Sequence, residues 1–238
     1  MSAEIAKLRY LSFPRWTAAG IVGVALLAGA LLIALQPTTP GWYEDMPPLA
    51  VGTAYLLASI VFGVWSATLE FASGTLQRTL TAEPARSRVA AQKLLLACAG
   101  TLLIGLVALG TVLGLADVAA ARSGVDYDQD TLARGLAAVV PSAVAGTAMG
   151  FGLGLLTRSM GAGIALAMAV VFALDGVVSM IPTVGDWSFG QLTGDLQSGI
   201  AGHGDTVHGI AVSIAGTLAW CALLLAPGWI AFLQGDLK

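Results

Sequence analysis

The chain has 238 residues, 57% of them hydrophobic and only 11% charged, with a formal net charge of -3. A soluble domain carries about 25% charged residues, so a water-soluble monomer is excluded, and the lack of a basic excess argues against a nucleic-acid partner. Cys98 and Cys221 both sit in long apolar runs, where they read as buried thiols and not as a disulfide frame.

Roughly 20 apolar residues cross a hydrocarbon core, and six such runs fill more than half of the chain: 16–35, 49–69, 94–116, 136–157, 160–181 and 209–233. The expected fold is therefore an all-α membrane protein of six transmembrane helices, one domain over 1–238, with no room for a separate soluble domain. The first run is too long for the apolar region of a signal peptide, about 7–15 residues, and is read as a retained helix. Ahead of it, Ile5, Leu8 and Leu11 recur at helical spacing among Glu4, Lys7 and Arg9, and Pro14 interrupts the pattern before Trp16. Residues 1–14 are thus expected to form an amphipathic surface helix, a frayed terminus being the alternative.

Six spans place both termini and two of the loops on one side. That side holds Lys7, Arg9, Arg15, Arg78, Arg86, Arg88, Lys93, Arg158 and Lys238, the other only Arg122 and Arg134. The positive-inside rule then puts both termini in the cytoplasm of a multi-pass plasma-membrane protein. The outer loops are acidic, with Glu44, Asp45, Asp117, Asp126, Asp128, Asp130, Asp186, Asp195 and Asp205.

The longest cytoplasmic stretch is 70–93, EFASGTLQRTLTAEPARSRVAAQK. Leu76 and Leu80 would share one face of a short helix that Pro84 ends, and Arg86 and Arg88 would open a second helix into the third span. The alternative is a solvated loop whose basic residues only set topology. Glu70 is expected to pair with a nearby basic residue in an exposed contact worth about 0–1 kcal/mol.

Small residues recur at every fourth position in two spans: Gly146, Gly150 and Gly154 in the fourth, and Gly161, Ala165, Ala169 and Ala173 in the fifth. Such stripes let helices approach closely in lipid, within the bundle or against a second copy. The fifth span also carries Asp175, about 23 Å along it at 1.5 Å per residue. A carboxylate there costs about 2.5–3.5 kcal/mol on insertion scales. It could line a pathway or move protons, cap a broken helix near the outer water layer, or pair with Arg134. Over 182–208, Pro182 and Gly185 turn the chain, and Trp187, Phe189, Leu192, Leu196 and Ile200 then follow helical spacing. The pattern predicts a short helix lying in the outer interface or dipping part-way into the bilayer.

No lysine follows a glycine, so no P-loop exists and ATP is not bound in that manner. His203 and His208 lie five apart in an outer loop, without zinc-ligand spacing, and no histidine falls inside a span to serve a serine nucleophile. The chain is not expected to be an enzyme or to hold a metal or cofactor.

The run Glu70, Gly74, Thr75, Leu76, Leu80, Pro84, Arg86, Arg88 and Lys93, placed between spans two and three, resembles the permease subunits of ABC-2-type ABC exporters, as does the opening AEIAKLRYL. The resemblance implies a permease that works as a dimer with itself or a paralogue. It implies a pair of separate ATPase subunits that carry ATP and Mg and dock on a coupling helix after Glu70. It further implies dimer contacts by the first and fifth helices, which the stripe Gly161, Ala165, Ala169 and Ala173 suits, and outer re-entrant helices around Trp187 that cap the pathway with Asp175 near it. Two other classes fit the composition: a secondary transporter using Asp175 as its carboxylate, and a non-transporting immunity or scaffold protein.

Overall fold

The computed structural model describes residues 12–73, 85–202 and 206–234, with side chains in the first stretch over 16–71 only. All regular structure among them is helical: α1 (Ser12–Leu35), α2 (Gly41–Glu44), α3 (Met46–Ser73), α4 (Arg86–Ser123), α5 (Gln129–Thr157), α6 (Met160–Met168), a π-helical stretch (Ala169–Leu174), α7 (Asp175–Ser179), a 3-10 turn (Gly185–Trp187), α8 (Phe189–Ala201) and α9 (Ile210–Gln234). Six segments are long and apolar enough to cross a membrane: Trp16–Leu35, Gly41–Phe71, Arg86–Ser123, Gln129–Thr157, Met160–Ser179 and Ile210–Gln234. By length and composition the chain is a multi-pass membrane protein.

Several boundaries differ from the hydropathy reading. The described part of α1 runs from Ser12, so Pro14 lies within the helix and does not interrupt it before Trp16. Residues 1–11 of the expected amphipathic segment lie outside the described residues. Helix α4 runs 38 residues, past the apolar core at both ends, because Arg88, Lys93, Asp117 and Arg122 lower hydropathy without breaking the helix. Gly124, left-handed at φ 65°, ends it, and the Asp128 carboxylate caps α5 by accepting the Asp130 N–H at 3.0 Å. Asp117 and Asp130 are therefore helical residues and not loop residues.

Helix α5 is the centre of the bundle and packs against α3, α4, α6, α8 and α9. Of its apolar window 72% is buried, against 11% for the fifth span. The glycine stripe of α5 is spent inside the chain. A Cβ at Gly150 would collide with the Ile60 carbonyl of α3, and one at Gly63 with the Thr147 carbonyl of α5. On the opposite side, a Cβ at Gly228 of α9 would strike the Gly152 carbonyl. Backbones thus touch directly along both faces of α5. Polar bonds join α3, α4 and α5 further: Tyr55 donates to the Thr101 carbonyl at 2.6 Å, and the Thr101 and Thr147 hydroxyls meet at 2.7 Å.

Overpacking a tight contact costs about 1–3 kcal/mol. Gly150→Ala is expected to lose that much stability, whereas Gly20→Ala, which meets nothing within 4 Å, stays within about 0.5 kcal/mol of wild type. Thermal melts in detergent distinguish them, and equal melts would contradict the backbone contact.

Candidate functional site

Two clusters of polar side chains occupy the two ends of the bundle. At the basic end, Glu70 in the last turns of α3 meets Lys93 in the second turn of α4, with Nζ and Oε2 3.1 Å apart. The contact sets these residues of α3 and α4 at one level. The pair is not exposed, as the sequence suggested, but buried, at 1% and 9% exposure. The reason is packing: α3, α4 and α5 all touch one another, and the neighbours Phe71 and Leu94 pack into one apolar cluster with Ala67, Ala90, Phe151 and Leu155. A buried pair costs desolvation, and removing one partner strands a charge at about 3–5 kcal/mol.

Arg86, at the start of α4, donates to the Phe232 and Leu233 carbonyls at 3.4 and 3.2 Å. Arg158 donates to the Ala231 carbonyl at 3.2 Å and stands 6.0 Å from the centre of the Phe71 ring. Phe71 meets Phe232 edge-on at 6.1 Å. Two cations thus converge on backbone carbonyls at the end of the described part of α9, where positive charge is favourable. Arg88 is exposed. Of the other residues that carry the resemblance, Gly74, Thr75, Leu76, Leu80 and Pro84 lie outside the described residues.

Towards the opposite end, α8 runs along α5 and α9. Its first residue, Phe189, packs with Met149 and Cys221, and its last turn reaches Ile210 through Gly199. Eleven residues of α9 separate those levels, about 16 Å at 1.5 Å per residue. Asp175 accepts the Phe189 N–H at 2.6 Å and the Gly190 N–H at 3.0 Å, and Ser188 accepts the Gln191 N–H at 3.2 Å. The positive end of α8 offsets the carboxylate charge. Arg134 is not its partner: that guanidinium lies 3.9 Å from Asp128 and donates to the Asp130 carbonyl.

A second carboxylate was not singled out from the sequence. Asp195 is buried at 3% exposure and accepts the N–H groups of Val207 and His208 at 3.1 and 2.9 Å. It also accepts the Gln191 amide at 2.9 Å and lies 3.1 Å from His208 Nδ1. The signal was available, because position 195 lies between Leu192 and Leu196 on the buried face of α8. Trp187 stands beside the His208 ring, centroids 4.7 Å apart, and its carbonyl accepts the Trp220 indole N–H at 2.9 Å. His203 and Asp205 lie outside the described residues. Among the described residues, no three His, Cys, Asp or Glu side chains gather as metal ligands.

The fifth-span stripe faces outward: Gly161, Ala165, Ala169 and Ala173 are all exposed, the last two on the π-helical stretch. Beside it, an apolar groove of about 530 Å³ runs between α1, α3 and α6, lined by Trp16, Gly20, Leu57, Val61, Ile164 and Met168 among others. A cleft of about 190 Å³ opens at the other end, lined by Glu44, Asp45, Thr131, Gln197 and Ser198 among others. Compared with known proteins, the chain matches no family model, no curated protein and no solved structure.

Glu70→Ala is expected to cost about 3–5 kcal/mol, and Glu70→Met with Lys93→Met less than either single change. Chemical unfolding in detergent reads both; additive losses in the double variant would contradict a buried pair. Burial opposes ionisation of Asp195, yet the Val207 and His208 N–H groups, the His208 ring and the Gln191 amide together hold its pKa below the usual carboxylate range. A depressed carboxylate contributes fully above its ordinary value, about 3.9, and loses the contribution as pH falls through its folded value. Asp195→Ala should therefore cost about 1–3 kcal/mol at pH 7. The gap to wild type should shrink below about pH 4, and melts showing a constant gap from pH 7 to 2 would contradict it.

Proposed function

We propose that this chain is the membrane-spanning permease subunit of an ATP-driven exporter, energised by a separate pair of ATPase subunits. The observation that carries the reading is the buried Glu70–Lys93 pair. It locks together the two helices that flank 74–85, so a helix in that segment would have a rigid mount rather than a flexible tether. An external motor needs such a mount, because its motion reaches the bundle only through a contact that does not yield. The basic end carries Arg86, Arg88, Lys93 and Arg158 and would face the cytoplasm.

Two further features support it. The exposed stripe of the fifth span and the adjoining groove leave a small-residue face open to a second copy or a paralogue. Helix α8, starting part-way down α9, fits an outer re-entrant helix that closes the pathway near Asp175 and Trp187. A gradient-driven carrier is less well served, since both oxygens of Asp175 are engaged by N–H groups.

Leu76→Asp or Leu80→Asp should reduce ATPase recruitment at least tenfold while the chain still inserts, because a helix-in-groove contact depends on its apolar anchors. Pull-down of the co-expressed ATPase measures this. Unchanged recruitment by both variants would move the contact elsewhere and remove the residue-level support for the exporter reading.

A further inference from the structure

Arg158 occupies a backbone site that does not suit it. It ends α5 in the left-handed region, φ 53° and ψ 14°, with its N–H on the Gly154 carbonyl at 2.9 Å. Glycine is the usual residue there, and a side chain adds strain. Strain kept at such a position points to what the side chain does, and here the guanidinium reaches across to α9 and Phe71.

The grip falls on a distinct part of α9. Pro227 removes one backbone N–H from the helix and so leaves the Leu223 carbonyl without its usual donor. Next to it, Gly228 presses directly on the Gly152 backbone of α5. Beyond that contact lies the last turn, held by Arg86 and Arg158. On the other side the long part of α9 is tied to α8 and the turn before it, through Trp220 to the Trp187 carbonyl and through residues 207–208 to Asp195.

We infer that α9 is a lever, with its short arm gripped by Arg158, its fulcrum at Gly228 on Gly152, and its long arm fastened to α8, so that Arg158 is a positioning residue linking the two ends of the bundle. The mechanical part stands on the contacts alone; its use in transport rests on the exporter reading above. Movement of the helices flanking 74–85 would displace Phe71 and Arg86, shift the short arm, and swing α8 at the far end.

The test is hydrogen–deuterium exchange on the full chain in lipid nanodiscs, comparing wild type, Arg158→Gly and Arg158→Lys. Glycine relieves the left-handed strain, so Arg158→Gly should keep or raise the melting temperature. It should nevertheless speed exchange of the α8 amides at least threefold, with α1 unchanged. Lysine keeps the charge without the planar fork and should give a smaller increase. Unchanged α8 exchange overturns the lever. So does a lower melting temperature with faster exchange throughout, which would make Arg158 a structural staple. In vesicles with the co-purifying ATPase, Arg158→Gly should hydrolyse ATP but export at least tenfold less than wild type. Normal export by that variant overturns the transport role alone, whereas no ATP-driven export by wild type overturns the exporter reading and leaves the exchange result standing.

Discussion

The structure depends on direct backbone contact along α5. Lipid is as apolar as a leucine side chain, so burying apolar surface gives helices little reason to associate inside a bilayer, and close packing must supply it. Gly63 and Gly150 let α3 and α5 touch, and Gly152 and Gly228 do the same for α5 and α9. These contacts set a three-helix frame, to which Tyr55, Thr101 and Thr147 fasten α4. Outside α3 and α5, burial falls away: the first and sixth span windows are each 22% buried and the fifth 11%, against 72% for α5. A closely packed α3–α5 pair with loosely buried flanks leaves the outer helices, α9 among them, room to move or meet another chain.

The few charges inside this frame are each neutralised by a different device. Lys93 answers Glu70, the N-terminus of α8 answers Asp175, and two N–H groups, an amide and an imidazole answer Asp195. Each arrangement holds helix ends in register, because an uncompensated charge in this setting costs several kcal/mol by any order-of-magnitude reckoning.

Much of this was legible in the sequence. The six spans follow from hydropathy, since lipid permits only helices for a chain of this pattern. The helix at Phe189–Ala201 follows from the spacing of its apolar face, of which Phe189, Leu192 and Leu196 are buried. The small-residue stripes were visible too, but which of them turns inward was not, because periodicity carries no partner. Burial of Glu70 and Lys93 escaped a linear reading for the same reason: both sit near helix ends, where exposure is the usual outcome. The fate of Asp175 depended on α8 folding back beside it, a tertiary event that no local pattern encodes. Asp195 could have been found by asking which polar residue shares a face with Leu192 and Leu196.

On the proposed function, motion at 74–85 reaches α8 through the helices between them, and a single labelling experiment tests that link. Ser198 of α8 lines the cleft at the end opposite Lys93. With a cysteine at Ser198 as the reactive position and the co-purifying ATPase present, a membrane-impermeant maleimide should label intact cells from outside, at a rate that changes when ATP is depleted inside. Labelling only from the cytoplasmic side, or an outside rate indifferent to ATP, would contradict it.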